Sequence, residues 1–177
     1  VDNCGAEGEC LGIVKDVYDD LKAKIEDSLE ECDLLLCSGG TSAGVGDNIR
    51  HILDELGEVY IHGITVQPGK PTILGVMNGK IVIGLPGNPV SAIVIFNVFV
   101  APAIKKLAGF KDEEEQKTIK GTLARRIHSP IGRMQYQLVR VVDDTVYPIF
   151  KDSGAIFSLA SAAGYTKVSK QTELLEE

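Results

Sequence analysis

Apolar residues follow two successive rhythms along this chain of 177 residues. Up to about residue 109, short apolar runs alternate with segments whose apolar positions recur every three or four residues, the signatures of strand and helix. Leu11-Gly12-Ile13-Val14 reads as a short strand. Tyr18 to Glu31 reads as a helix with Leu21, Ile25, Leu29 and Cys32 on one face. Asp33 to Cys37 is a continuous apolar run, the pattern of a strand covered on both sides. Asn48 to Leu56 repeats the helical spacing through Ile49, Ile52, Leu53 and Leu56, and Gly57 suits the C′ position. Val59 to Val66 is strand-like, Gln67 to Pro71 a turn, and Thr72 to Val76 and Lys80 to Leu85 two strands joined at Asn78-Gly79 by a type I′ hairpin. Asn88 is a suitable N-cap and Pro89 a suitable first residue for a helix running to about Leu107, stopped by Gly109. That helix is apolar nearly all round from Val90 to Val100, which predicts burial, and Pro102 predicts a kink or break.

Past Phe110 the period shortens. Residues 110–117 form a charged linker. Thr118 to Ile127, Met134 to Val142, Thr145 to Phe150, Ala155 to Leu159 and Tyr165 to Val168 read as short strands, with a tight hairpin through Asp143-Asp144. Pro148 belongs on an edge or bulge, and Glu173 to Glu177 reads as a frayed acidic tail. The pattern predicts a mostly parallel, three-layer α/β sheet with helices on both faces over residues 1–109, then a small all-β barrel or open sandwich over 118–177.

In such α/β sheets, ligands bind where strands end and loops begin. Three loops there are rich in Gly, Pro, Ser and Asn: 38–47, 67–71 and 85–89. The first, Ser38-Gly39-Gly40-Thr41-Ser42-Ala43-Gly44-Val45-Gly46-Asp47, lies between a strand and a helix. Its glycines allow close backbone approach, its amides and the following helix N-terminus suit an anion, and Ser38, Thr41 and Ser42 add donors. The same residues also describe a plain turn with Asp47 as N-cap. The loop is not a P-loop, since no Gly-Lys-Ser/Thr closes it, and its glycines lack the dinucleotide-binding spacing.

Composition narrows the classes. Hydrophobic content is 44% and charged content 24%, ordinary for a globular chain. The net charge of −7 disfavours a broad nucleic-acid surface. Cys4, Cys10, Cys32 and Cys37 show neither C-x-x-C spacing nor a histidine at zinc spacing, which reads as reduced thiols in a cytoplasmic protein. The apolar run Val90 to Ala101 is too short to span a bilayer. The chain opens at Val1 on what reads as the tail of a helix, so a fragment or processed piece is expected.

Ser38-Gly39-Gly40-Thr41-Ser42-Ala43-Gly44, Pro68-Gly69-Lys70-Pro71 and Leu85-Pro86-Gly87-Asn88-Pro89-Val90-Ser91, in this order, resemble the molybdopterin molybdotransferases, the family of MoeA and the gephyrin E-domain. Arg133-Met134-Gln135-Tyr136-Gln137 and Lys151-Asp152-Ser153-Gly154-Ala155-Ile156 are similar to that family's C-terminal β-domain. The resemblance implies molybdenum cofactor biosynthesis: molybdate enters adenylated molybdopterin and AMP leaves. It implies that Ser38, Gly39, Gly40, Thr41, Ser42, Gly44, Pro68, Gly69, Pro71, Pro86, Gly87, Asn88, Pro89, Ser91 and Ser153 hold the pterin and nucleotide. Lys70 would neutralise phosphate charge and Asp47 would hold Mg²⁺. It also implies a homodimer in the full-length protein, with N-terminal domains and a first strand beyond this sequence, so the piece alone is expected to be inactive. No nucleic-acid or membrane partner is implied.

Each residue has a plainer reading: Lys70 as a solvated turn lysine, Asn88 as a cap, Ser153-Gly154 as a turn, and His51, His62, Arg125, Arg126 and Arg133 as surface or structural groups. The chain also departs from the family. Gln67 and Gly63 stand where many members carry basic residues thought to hold the oxyanion, and Ala162-Ala163-Gly164 replaces a common Ala-Asp-Gly. These changes leave molybdate and tungstate undistinguished. Two other functions compete: the related molybdopterin adenylyltransferase, against which residues 118–177 argue, and a binding or scaffold module of the gephyrin type.

Overall fold

In the computed structural model, residues 1–39, 48–110, 118–150 and 159–176 are described. They fall into two units, Val1–Ile64 with Gly69–Phe110, and Thr65–Pro68 with the chain from Lys111 onward. The division is not contiguous: the chain leaves the first unit at Thr65 and re-enters it at Gly69.

In the first unit, helix α1 (Tyr18–Glu31) buries Ile25, Ser28 and Leu29, and helix α2 (Asn48–Leu56) buries Ile49, Ile52 and Leu53. Strands β1 (Leu34–Ser38), β2 (Gly57–His62), β4 (Ile73–Met77) and β5 (Lys80–Leu85) form a sheet in the order β1-β5-β4-β2; β3 (Val66–Gln67) is counted in the second unit. The helical apolar stripes meet Leu35 of β1, Ile73 and Met77 of β4 and Val82 of β5 in one core. Removing this apolar surface from water, at roughly 25 cal/mol per Å², is what favours the unit over the open chain.

The sheet is mixed, where the alternating rhythm predicts mostly parallel pairing. Only β1 with β5 runs parallel; β4 is antiparallel to both β5 and β2. The short connections decide this. Asn78 and Gly79 take φ of 52° and 74°, the left-handed pair that a type I′ turn requires, and such a turn can only return the chain antiparallel. Leu11–Val14, expected as a strand, pairs with no strand among the described residues, and Ile13 is wholly exposed. Alternating apolar residues make a strand only where a partner edge and a core face await them.

The long apolar helix is built in three pieces: α3 (Pro89–Ile95), a π-turn over Phe96–Val100, and α4 (Ala101–Leu107). Ala101 N–H reaches back five residues to Phe96 O, so the widened turn directly precedes Pro102. It admits a residue with no N–H and a bulky ring without ending the helix. Burial is partial, contrary to the expectation from its composition. Val94, Ile95, Val100 and Ile104 are buried, but Ile93 and Phe99 are 44% and 46% exposed. The span Pro89–Leu107 is also long and apolar enough to cross a membrane by length and composition alone, a point hidden by counting the run only to Ala101.

The second unit is β-rich. Its sheet runs β10 (Gly164–Val168), β8 (Met134–Val142), β9 (Thr145–Pro148), β6 (Thr122–Leu123), with β3 lying parallel to the start of β8. β11 (Leu174–Leu175) pairs with β7 (Ile127–His128). The described strands make an open arrangement and no closed barrel. The β7–β11 and β8–β10 pairs are one interrupted ribbon. His128 faces Leu174, Ser129 N–H donates to Glu173 O, Gly132 N–H to Lys170 O, and Gln135 faces Val168. The expected frayed tail is therefore paired as far as Leu175. The expected strand Thr118–Ile127 shrinks to β6 and the first residue of β7.

Candidate functional site

The first unit gathers its loops through strand register. β1 and β5 are parallel with Ser38 opposite Leu85, so both chains leave the sheet at the same rim. Gly39 N–H then donates to Leu85 O at 3.3 Å. A Cβ on Gly87 would lie 3.5 Å from Gly39 Cα, so the two backbones run side by side. β4 enters at this rim too, with Ile73 opposite Gly84. The turn before it presses on α3, since a Cβ on Gly69 would lie 2.3 Å from Ile95 Cδ1. Segments from three distant parts of the sequence thus meet at one edge: Ser38–Gly39, Gly69–Pro71 and Pro86–Ser91.

Several expected site residues are not among the described residues of the first unit. Gly40, Thr41, Ser42, Gly44, Asp47 and Ser153 are outside the described residues. Pro68 belongs to the second unit, while Gly69, Lys70 and Pro71 belong to the first.

At the rim, Pro86 is fully buried, while Ser38, Lys70, Gly87, Asn88 and Pro89 are exposed. Asn88 caps α3: its Oδ1 accepts from Ser91 N–H at 3.1 Å and from Ser91 Oγ at 3.3 Å. That contact commits the acceptor oxygen of Asn88 and leaves its amide nitrogen as the group able to donate outward. Gly39 N–H is committed to Leu85 O.

The Lys70 turn is fixed from several sides. Ile64 N–H donates to Lys70 O at 2.9 Å, Gly63 N–H to Thr72 O at 2.8 Å, and Thr72 Oγ1 to Gly69 O at 2.7 Å. Gly63 has φ of 86°, a conformation strained for any side chain. Thr72 and Ile95 escape a motif reading. A Thr three residues after a turn glycine is the only hint of the first, and no local pattern announces the second.

The leading edge of α1 holds α2, which follows the first loop. Asn48 Nδ2 donates to Asp16 Oδ1 at 2.8 Å, Lys22 Nζ to Glu55 Oε1 at 2.6 Å, and the Tyr18 hydroxyl to the other Glu55 oxygen. The hydrogen bond from Lys22, then that from Tyr18, pull the Glu55 carboxyl below its ordinary value. The same bonds to Glu55 raise Lys22 and Tyr18. Cys37, near the end of β1, is a poor nucleophile because burial pushes its thiol up to about 11. His51, His62, Arg125, Arg126 and Arg133 are exposed. Among the described residues no group of three or more His, Cys, Asp or Glu side chains is placed to hold a metal.

Comparison with known proteins now decides the family. The family model described as a probable molybdopterin binding domain matches residues 1–106. The chain belongs to this molybdopterin-binding family. Residues 120–177 match the MoeA C-terminal region, domain IV. A Methanocaldococcus jannaschii protein named for molybdopterin biosynthesis is 35% identical over 100% of the chain and 42% of its own length. The molybdopterin molybdenumtransferase of a Nostoc species is 35% identical over 75% of the chain and 31% of its own length. The crystal structure of a MoeA molybdopterin biosynthesis protein from Pyrococcus horikoshii superposes with a TM-score of 0.87 at 35% identity, covering 99% of this chain and 42% of that one. This member of the family therefore spans less than half the length of those relatives.

Proposed function

We propose that the protein to which this chain belongs inserts molybdate into adenylated molybdopterin, releasing AMP, in molybdenum cofactor biosynthesis. The single observation that best supports this reading is the side-by-side approach of Gly39 and Gly87 at the end of the parallel β1–β5 pair, with the Gly69–Lys70 turn at the same rim. Closely packed glycine backbones there leave room for a phosphorylated ligand against main-chain donors. Exposed Lys70 supplies a compact positive charge for its phosphate. The Asn88 amide nitrogen is the side-chain donor for the pterin or nucleotide.

Mg²⁺ needs few protein ligands, because it commonly binds one or two carboxylates together with substrate phosphate oxygens. Asp47 is the carboxylate that would hold it, and the ion would neutralise phosphate charge. Nothing in the donors separates molybdate from tungstate. The reading includes cytoplasmic action and a homodimer of the full-length protein.

Calorimetry of the 177-residue chain with molybdopterin and with AMP, each with and without Mg²⁺, is the test. Binding is expected, with a Mg²⁺-dependent part that Asp47→Ala removes. If Asp47 is only a helix cap, that variant instead loses about 1 kcal/mol of stability and keeps its affinity. Absence of binding to both ligands would overturn the proposal. AMP release from adenylated molybdopterin and molybdate is expected of the whole protein and not of this portion.

A further inference from the structure

We infer that Thr72 is a positioning residue whose hydroxyl locks the turn that aims Lys70 at the anionic part of the ligand. This rests on the reading of Lys70 given above.

A lysine on a turn is a poor anion partner unless its backbone is fixed, because four rotatable bonds already spread the ammonium over a wide volume. Around Lys70 the chain removes backbone freedom on each side. Gly69 has φ of 126° and touches Ile95 with no space for a Cβ. Pro71 follows and holds residue 70 to extended conformations. Lys70 O accepts the Ile64 amide at 2.9 Å. What remains is the closure of the turn between 69 and 72, and one side chain makes it. Thr72 Oγ1 donates to Gly69 O at 2.7 Å, and Thr72 is only 7% exposed.

That burial matters. Water can replace a hydroxyl on an exposed turn. Here, loss of the hydroxyl strands the Gly69 carbonyl beside a buried side chain, and the carbonyl would turn outward to find a partner. Gly69 lies between Ile95 and Lys70, so rotating its peptide reorients the bond that carries the Lys70 side chain. Lys70 itself is exposed, so nothing else among its described contacts directs the ammonium. Valine matches threonine in shape and serine retains its hydroxyl, so the two substitutions separate packing from hydrogen bonding.

The test measures molybdopterin affinity by calorimetry for the chain and for Thr72→Val, Thr72→Ser, Lys70→Ala and the double variant Lys70→Ala/Thr72→Val. Thr72→Val is expected to weaken binding about tenfold, the scale of one ligand hydrogen bond to a charged group. Thr72→Ser should bind nearly as the parent does. The double variant should bind no more weakly than Lys70→Ala alone, since the hydroxyl then has no lysine to direct. Amide exchange at Ile64 should speed up in Thr72→Val and not in Thr72→Ser. Thr72→Ala replaces the valine variant if valine prevents folding, and the exchange readout applies to it equally. If Lys70→Ala weakens binding and Thr72→Val does not, the inference falls and the reading of Lys70 stands. The inference also falls if the valine effect keeps its full size in the Lys70→Ala background. If Lys70→Ala binds like the parent, both the inference and the assignment of Lys70 are overturned.

Discussion

Gly57 opens β2 where a Cβ would meet Val76 O at 2.2 Å, and Val76 belongs to the neighbouring strand backbone. A side chain can rotate away from a clash, but a paired strand carbonyl cannot. Gly57→Ala is therefore expected to cost about 1–3 kcal/mol, read as a lower urea midpoint with an unchanged slope. Cys37 offers a test with a pH sign. Its folded value of about 11 stands above the ordinary 9.0 because burial disfavours the thiolate. The neutral thiol's contribution is complete below about 9 and is lost as pH rises toward about 11. Stability should fall across that window in the parent and fall less in Cys37→Val, as chemical denaturation at stepped pH would show. At pH 8, iodoacetamide should modify exposed Cys10 well before Cys37.

At the scale of elements, local chemistry was legible where it settles the outcome unaided. Tyr18–Glu31 and Met134–Val142 have the limits their periodicities predict, and Asn78-Gly79 makes its hairpin. The rim was legible through its glycines and prolines, because turn chemistry is written into a few adjacent residues. What depends on distant partners was not. Leu11–Val14 is apolar enough for a strand but pairs with none among the described residues. The apolar helix shows Ile93 and Phe99 at its surface because which side is covered depends on what packs against it, not on its own composition. The tail looked frayed because its pairing runs through backbone groups: Ser129 N–H finds Glu173 O whatever the side chains are. Deleting residues 173–177 should consequently release β7. Hydrogen exchange is expected to show lost protection at Ser129, with β8 and β9 little changed.

Across the whole molecule the charge is uneven. Residues 1–110 carry 8 Lys and Arg against 15 Asp and Glu, a net of −7, while the remainder is balanced. The proposed ligands are anions, so they approach a unit of like sign and are held by donors that act only at close range. Added salt screens the long-range repulsion more than the short contacts. The association rate for AMP in stopped flow is expected to rise between low and physiological salt. A falling rate would mean that local cations govern the approach instead. Among the described residues the strand order of the first unit ends at β1, whose Leu34 and Leu36 are only half covered. Such a border is an open seam: in concentrated solution, molecules would zip together along it, and light scattering would record growing species that Leu36→Lys abolishes.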